Sequence, residues 1–329
     1  SYIALTAYLG YRGYQRTKSL DSFAVGSRDM SPVFVDLSLA AQLTSVATFV
    51  VNPGLIYAYG LPGLLGLGLS ASLGITIGVI VISKGFRKVG QKLSALTVPG
   101  WIGSRYQSRG LQLGFAVLSL ALITFVVLIL VAMAYILMNL LGIPAWAALA
   151  GVVVFIFPYV LLGGVNTSVY TNSVQALIMV VVAVILVASG LPLLSEGVAP
   201  FMDKLARIDA NLVGLANVKS LYFRNLFEVF FCNFIVGLAI VCQPHVMSKT
   251  LYLKSDRDVN KYLGTAIGVG LIFALVMLVG LYAKVSMPAV ARMDLVVPTY
   301  IKTQFSPMLG VFIGIGMLCA GISTLEGLL

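Results

Sequence analysis

Cys319-Ala320-Gly321-Ile322-Ser323-Thr324 places two adjacent hydroxyls inside an apolar run near the end of the chain. The run covers 307–329, and about 20 apolar residues are what a helix needs to cross a bilayer. Hydrocarbon offers a Ser or Thr hydroxyl no partner. It must bond back to a carbonyl of its own helix, or face protein or a water-filled cavity. Far upstream, Ala40-Ala41-Gln42-Leu43-Thr44-Ser45 repeats the combination of small and polar residues within a second apolar run.

Working outward from these two stretches, the 329 residues are 60% hydrophobic and only 10% charged. The mean hydropathy is +1.03. Soluble domains carry about a quarter charged residues, so water is not the main solvent of this surface. Spans are expected at 32–52, 61–83, 111–140, 144–164, 171–194, 225–247, 262–287 and 307–329, with 1–10 as the tail of a peripheral helix. The runs are continuous rather than alternating, which excludes a transmembrane β-barrel. The fold class is all-α polytopic membrane protein, with 1–329 as one transmembrane domain. The chain starts without Met and ends inside a helix, and reads as a piece whose fold is truncated at its C-terminal end. No cleavable signal peptide is expected at the start.

The net charge of +10 is a topology signal rather than a nucleic-acid footprint. Arg12, Arg16, Lys18 and Arg28 fall on one side of the expected membrane. Lys84, Arg87, Lys88, Lys92, Arg105 and Arg109, then Lys249, Lys254, Arg257 and Lys261, fall on that same side. The positive-inside rule places that side in the cytoplasm of a multi-pass plasma-membrane protein. The partners implied are the lipid bilayer and a small molecule; no nucleic acid is expected. Residues 195–224 form a solvated outer loop of mixed charge with one short surface helix. Ser255 is placed to cap the helix that follows it. Cys232, Cys242 and Cys319 lie in apolar runs without metal-ligand spacing and read as small apolar residues.

The inventory for enzyme chemistry is thin, and no enzyme is expected. His245 is the single histidine, so no metal cluster can be built on paired histidines, and no Walker-type phosphate loop occurs. Asp36, Glu228 and Glu326 are the acids inside the expected spans. Glu326 lies nearest the membrane interior and reads either as a functional acid, the default for an acid inside a membrane, or as one that simply reaches inner water or bonds a neighbouring hydroxyl. Ser38, Gln42, Ser45 and Phe49 follow a 4-3-4 spacing along one helical stripe, with Thr44 and Thr48 beside it. The stripes either pack small residues against another helix or line a cavity. Asn52-Pro53-Gly54 is expected to end or break that helix. A sodium ion is hard and prefers oxygen. Carbonyls released by an unwound helix, with Ser and Thr hydroxyls, can replace its water without a carboxylate, and broken helices near the midplane provide such carbonyls.

Several stretches in order resemble the sodium:solute symporter family. They are Ser22-Phe23-Ala24-Val25-Gly26-Ser27-Arg28; Leu39 to Phe49 with Pro53-Gly54 and Tyr57 to Gly60; Gly163-Gly164 through Thr171-Asn172-Ser173-Val174-Gln175; Gln243-Pro244-His245 with Lys249; and Ala320 to Thr324. The resemblance implies a LeuT-like fold of two five-helix inverted repeats, the first at 32–194 and an incomplete second at 225–329. It implies Na⁺ as coupling ion, bound by carbonyls of Ala40, Leu43 and Ala320 and hydroxyls of Ser323 and Thr324. It places a solute near Gln42, Thr44, Ser45 and Thr48, with Phe231, Asn233 and Phe234 as contacts from the 225–247 helix. Asn172 departs from the family's Asp, and Glu326 stands where many members have a small or polar residue.

The expected activity is a sodium-coupled symporter importing a small organic solute by alternating access. A carboxylate-bearing solute of the pantothenate, monocarboxylate or amino-acid class is favoured. The alternative is a transporter-like membrane sensor module of a signalling kinase. A channel would need a continuous polar lining.

Overall fold

The computed structural model describes residues 2–17, 32–93, 97–247 and 256–328. The Ser22–Arg28 segment, Lys249 and the Ser255 cap lie outside the described residues, as does the side chain of Asp36. Regular structure among the described residues is helical throughout. The order begins with α1 (Tyr2–Arg16), α2 (Pro32–Leu43), a π-helical stretch Ala47–Val51 and α3 (Asn52–Tyr59). A second π-helical stretch, Leu64–Ala71, leads into α4 (Ser72–Lys92). Then come α5 (Val98–Tyr106), α6 (Arg109–Leu120), α7 (Leu122–Leu141), α8 (Ala145–Ala188) and α9 (Val198–Ile208). A third π-helical stretch, Phe227–Cys232, opens α10 (Asn233–Val241), and α11 (Pro244–Met247) follows. The described chain closes with α12 (Asp256–Val276), α13 (Val279–Ser286), α14 (Val296–Gln304) and α15 (Pro307–Leu328).

By length and composition, Leu61–Gly90, Arg109–Leu141, Gly164–Leu194, Leu263–Ser286 and Pro307–Leu328 can each cross a membrane. Ala145–Pro158 and Phe227–Val241 are shorter apolar helices. The stretch expected to be one helix over 32–52 is instead broken at Thr44-Ser45. Asn52-Pro53-Gly54 does not break it: the helix runs on from the π-helical stretch Ala47–Val51 into α3, with the Asn52 N–H bonding the Ala47 carbonyl, and the register before Pro53 is the wider π-helical one. The spans expected at 144–164 and 171–194 meet without a loop at Gly164, whose φ of 52° and ψ of −145° split α8 into two arms. That conformation is essentially open only to glycine.

Helix α15 is the centre of the bundle: 67% of its apolar window is buried, against 11% for Arg109–Leu141. A helix apolar all round belongs inside, and α15 packs on α2, α7 and α8. Phe49 and Phe273 meet edge to face at 5.8 Å in the same core. Helices α4 and α10 cross on glycines. A Cβ on Gly74 would lie 2.1 Å from the Phe234 carbonyl, and one on Gly237 2.1 Å from the Ala71 carbonyl. Only hydrogen fits, as is usual where helices associate by close backbone approach. Residues 195–224 hold the expected surface helix, α9, anchored by buried Phe201 and Leu205.

Candidate ion and solute site

Three breaks in hydrogen-bond register shape the end of α2. The Thr44 N–H bonds the Ala41 carbonyl at 3.2 Å, one residue short of its α-helical partner, Ala40. The Ala47 N–H, which a continuous helix would direct to Leu43, bonds the Ser45 hydroxyl at 3.2 Å. The Thr48 N–H bonds the Ser45 carbonyl at 2.9 Å. Ser and Thr side chains compete for backbone groups in this way. The carbonyls of Ala40 and Leu43 thereby lose their ordinary helical donors at a point buried in the bundle.

Helix α15 brings its hydroxyl pair to this break. Ser323 Oγ lies 3.1 Å from the Ala41 carbonyl and 3.0 Å from the Ala320 carbonyl, so its one proton is shared between these two acceptors. Thr324 Oγ1 donates to the Ala320 carbonyl at 2.9 Å. Ala40, Ala320, Ser323 and Thr324 are all buried. Each hydroxyl proton is turned into a carbonyl, so the oxygen lone pairs remain as acceptors. A cluster of neutral oxygens on two helices, one interrupted, suits a hard monovalent cation. The residues therefore fit the ion that the resemblance implies. The register differs in one respect: the carbonyl that Ser323 reaches is that of Ala41, next to Ala40.

The residues expected to meet a solute fall into separate places. Thr44 and Thr48 line a cavity of about 80 Å³ together with Ser72 and Thr76 of α4 and the facing side of α12. That is well below the size of ordinary small-molecule sites, about 300–1,000 Å³. Gln42 is buried on the wall of a second cavity, about 910 Å³, shared with Ser168, His245 and Glu326. Ser45 is half-buried and engaged with the Ala47 N–H. Phe231 is exposed and stacks on Phe227 at 5.0 Å. Asn233 donates to the Glu228 carbonyl at 2.8 Å, and the Phe234 carbonyl sits at the Gly74 crossing. The structure does not bring these three together with Thr44 and Thr48. The helix that carries them packs on α4 and on Leu64–Ala71.

A polar junction whose partners were not anticipated from sequence lies within one turn beyond the hydroxyl pair. Glu326, 5% exposed, accepts from Thr171 Oγ1 and, at 3.1 Å, from Gln175 Nε2. The carboxyl group is buried and bonds a hydroxyl of another helix rather than reaching inner water. Asn172 Nδ2 donates to Ser38 Oγ at 3.4 Å, and Ser173 Oγ donates to the Phe34 carbonyl at 2.8 Å. The four-residue spacing of Thr171 and Gln175 on one helical face was the available signal; nothing local pointed to their partner.

The profile of the sodium:solute symporter family matches residues 23–329. The sodium/pantothenate symporter of Escherichia coli (strain K12) is 28% identical over 264 residues, 78% of this chain and 53% of that protein. The sodium/pantothenate symporter of Haemophilus influenzae is 26% identical over 323 residues, 95% of this chain and 64% of that protein. The chain thus spans between half and two thirds of the length of these relatives. Among solved structures, a Na⁺-coupled sialic acid symporter in a substrate-bound outward-open state superposes with a TM-score of 0.82. It is 17% identical, with 99% of this chain and 70% of that chain covered. The likeness shows a shared LeuT-type all-helical fold.

Proposed function

The chain belongs to the sodium:solute symporter family, and on that premise we propose that it forms the ion-binding part of a secondary active symporter rather than an enzyme. Sodium moving down its gradient drives a small organic solute inward across the plasma membrane by alternating access. The ion is held by carbonyls of Ala40, Leu43 and Ala320 and hydroxyls of Ser323 and Thr324. The observation that carries this reading is the buried Ser323 hydroxyl bonding the Ala41 carbonyl, across 282 residues of sequence, where α2 loses its helical register. A site without a formal charge on its ligands lets the bound cation feel the membrane potential, worth about 2.3 kcal/mol per charge per 100 mV.

The solute is proposed to carry a carboxylate, of the pantothenate, monocarboxylate or amino-acid class, in line with two relatives named as pantothenate symporters. The cavity of about 910 Å³ beside Gln42 has room for such a molecule, whereas the one at Thr44 and Thr48, about 80 Å³, does not. Gln42 and Ser168 lie on its wall. Repeat boundaries at 32–194 and 225–329 follow the family pattern.

The test is uptake of labelled pantothenate, short monocarboxylates and proline by the full-length protein in proteoliposomes. An inward Na⁺ gradient is compared with an equal K⁺ gradient. Accumulation that requires Na⁺ and is lost in the Ser323→Ala/Thr324→Ala double variant supports the reading. Uptake indifferent to Na⁺, or surviving that variant, returns the hydroxyl pair to helix packing.

A further inference from the structure

We propose that Glu326 is a positioning residue for the sodium site: it locks the second arm of α8 onto the helix that carries Ser323 and Thr324. The proposal rests on the sodium-site reading above and adds a residue and a coupling route to it. Three contacts close a ring around the ion ligands. Ser323 Oγ ties α15 to the Ala41 carbonyl of α2. Asn172 and Ser173 tie α8 to Ser38 and to the Phe34 carbonyl of α2. Glu326 completes the ring by accepting from Thr171 and Gln175 of α8.

The geometry gives this third side a particular task. Glu326 follows Thr324 by two residues, so a shift of its side chain is transmitted to the hydroxyl pair within one turn of helix. Thr171 and Gln175 lie four residues apart, on one face of the arm that starts at Gly164. Gly164 is the residue about which that arm can change direction, since its backbone lies outside the helical region. The arm is thus jointed at one end and held by a carboxyl group a few turns away. The neighbouring position supports the tight fit. A Cβ at Gly327 would lie 2.7 Å from Gln42 Nε2, so α15 and α2 also touch directly here. Glu326, Gln42, Gly164 and Ser168 all line the same cavity. Release of the Glu326 contacts would therefore loosen the ion ligands and the cavity wall in one movement. Carboxyl hydrogen bonds of this kind are among the stronger ones, and loss of one partner in a buried site is costly.

The test titrates the purified full-length protein in detergent with NaCl, balanced by choline chloride at constant ionic strength. Hydrogen–deuterium exchange of peptides covering 165–176 and 318–328 is the readout. In the unaltered protein Na⁺ slows exchange in both peptides with one half-saturating concentration. Glu326→Gln is expected to raise that concentration at least tenfold and to abolish the response of 165–176. The exchanged pair, Glu326→Gln with Gln175→Glu, restores one carboxyl and one amide across the same gap. It is expected to recover Na⁺ affinity to within threefold, a rescue that simple packing does not provide. Thr171→Val and Gln175→Leu carry the same test should Glu326→Gln not yield folded protein. Half-saturation within twofold of the unaltered protein in these variants, or persisting protection of 165–176, overturns the proposal. Ser323→Ala with Thr324→Ala separates the two ideas. If that pair leaves Na⁺ affinity unchanged, the sodium-site reading fails and the positioning role falls with it. If the pair loses Na⁺ binding while Glu326→Gln does not, only the positioning role fails.

Discussion

Polar side chains at the two ends of this bundle live under different rules. At the end where α2, α8 and α15 meet, Gln42 is buried, and Ser38, Thr171, Asn172, Gln175, Ser323, Thr324 and Glu326 are buried and bonded across helices or to their own backbone. At the outer end the described ion pairs lie on the surface: Lys204–Glu196 at 3.1 Å, Lys219–Asp209 at 2.6 Å, Arg292–Asp294 at 2.6 Å, and Arg224–Glu228. Exposed pairs are screened and contribute little, whereas a buried polar group that loses its partner incurs its full desolvation penalty. The formal charges outside are thus the less consequential set, and neutral hydroxyls and amides inside are the more consequential one.

The comparison is broken most severely by removing the inner hydroxyls. Hydrogen bonds and ligand contacts to a charge are worth about 1.5–3 kcal/mol each. Ser323→Ala with Thr324→Ala should accordingly raise the half-saturating Na⁺ concentration by about 100-fold or more. Flux assays over a range of external Na⁺ measure this, and an unchanged Na⁺ dependence would make the inner cluster no different from ordinary packing. Next in size is Gly164→Ala. Strain at this backbone position costs about 1–3 kcal/mol. With about 2–4 °C per kcal/mol for chains of this size, the apparent Tm in detergent should fall by several degrees; a rise in Tm contradicts the assigned joint.

The outer end sharpens the contrast. Tyr57 accepts from the Val290 N–H at 3.0 Å and lies under Lys284 Nζ at 4.4 Å. Tyr57→Phe keeps the ring and removes the acceptor, so a loss of about 1 kcal/mol is expected, seen as faster exchange at the Val290 amide. Asp209→Asn should do least, with no measurable change in Tm. Its carboxyl is lowered to about 2, first by the hydrogen bond from Lys219 and then by the Asn211 N–H. A depressed folded pKa gives a contribution fully present above the ordinary carboxylate range, about 3.9, and lost as pH falls through about 2. Protection factors of amides in the 209–219 loop, with the intrinsic pH dependence of exchange divided out, should therefore stay constant from about pH 8 to about pH 4 and fall only below that.

Much of the inner site was legible from composition and spacing, and the missed parts share one cause. The hydroxyl pair announced itself, because Ser323 and Thr324 sit in a run with no other polar group until Glu326. The break expected at Asn52-Pro53-Gly54 falls instead at Thr44-Ser45: the helix runs through Pro53 behind a π-helical stretch, and the Ser45 side chain takes a backbone donor upstream. The grouping of Phe231, Asn233 and Phe234 with Thr44 came from family pattern. The π-helical start of α10 and the glycine crossing with α4 direct that helix elsewhere.

The sequence by itself determined that the chain is helical and crosses a membrane, that its basic loops gather on one side of the expected spans, and which hydroxyls have no lipid partner. Those properties depend on transfer free energy and on periodicities within one helix, both local. Only the tertiary structure decided that Glu326 meets Thr171 and Gln175, 155 and 151 residues away. It also decided that Ser323 selects Ala41 and that Gln42 faces a different cavity from Thr44. Such pairings follow from how far each helix rotates and slides against its neighbours, and that is set by glycine crossings, the break at Thr44-Ser45 and the bend at Gly164 rather than by any repeat in the chain.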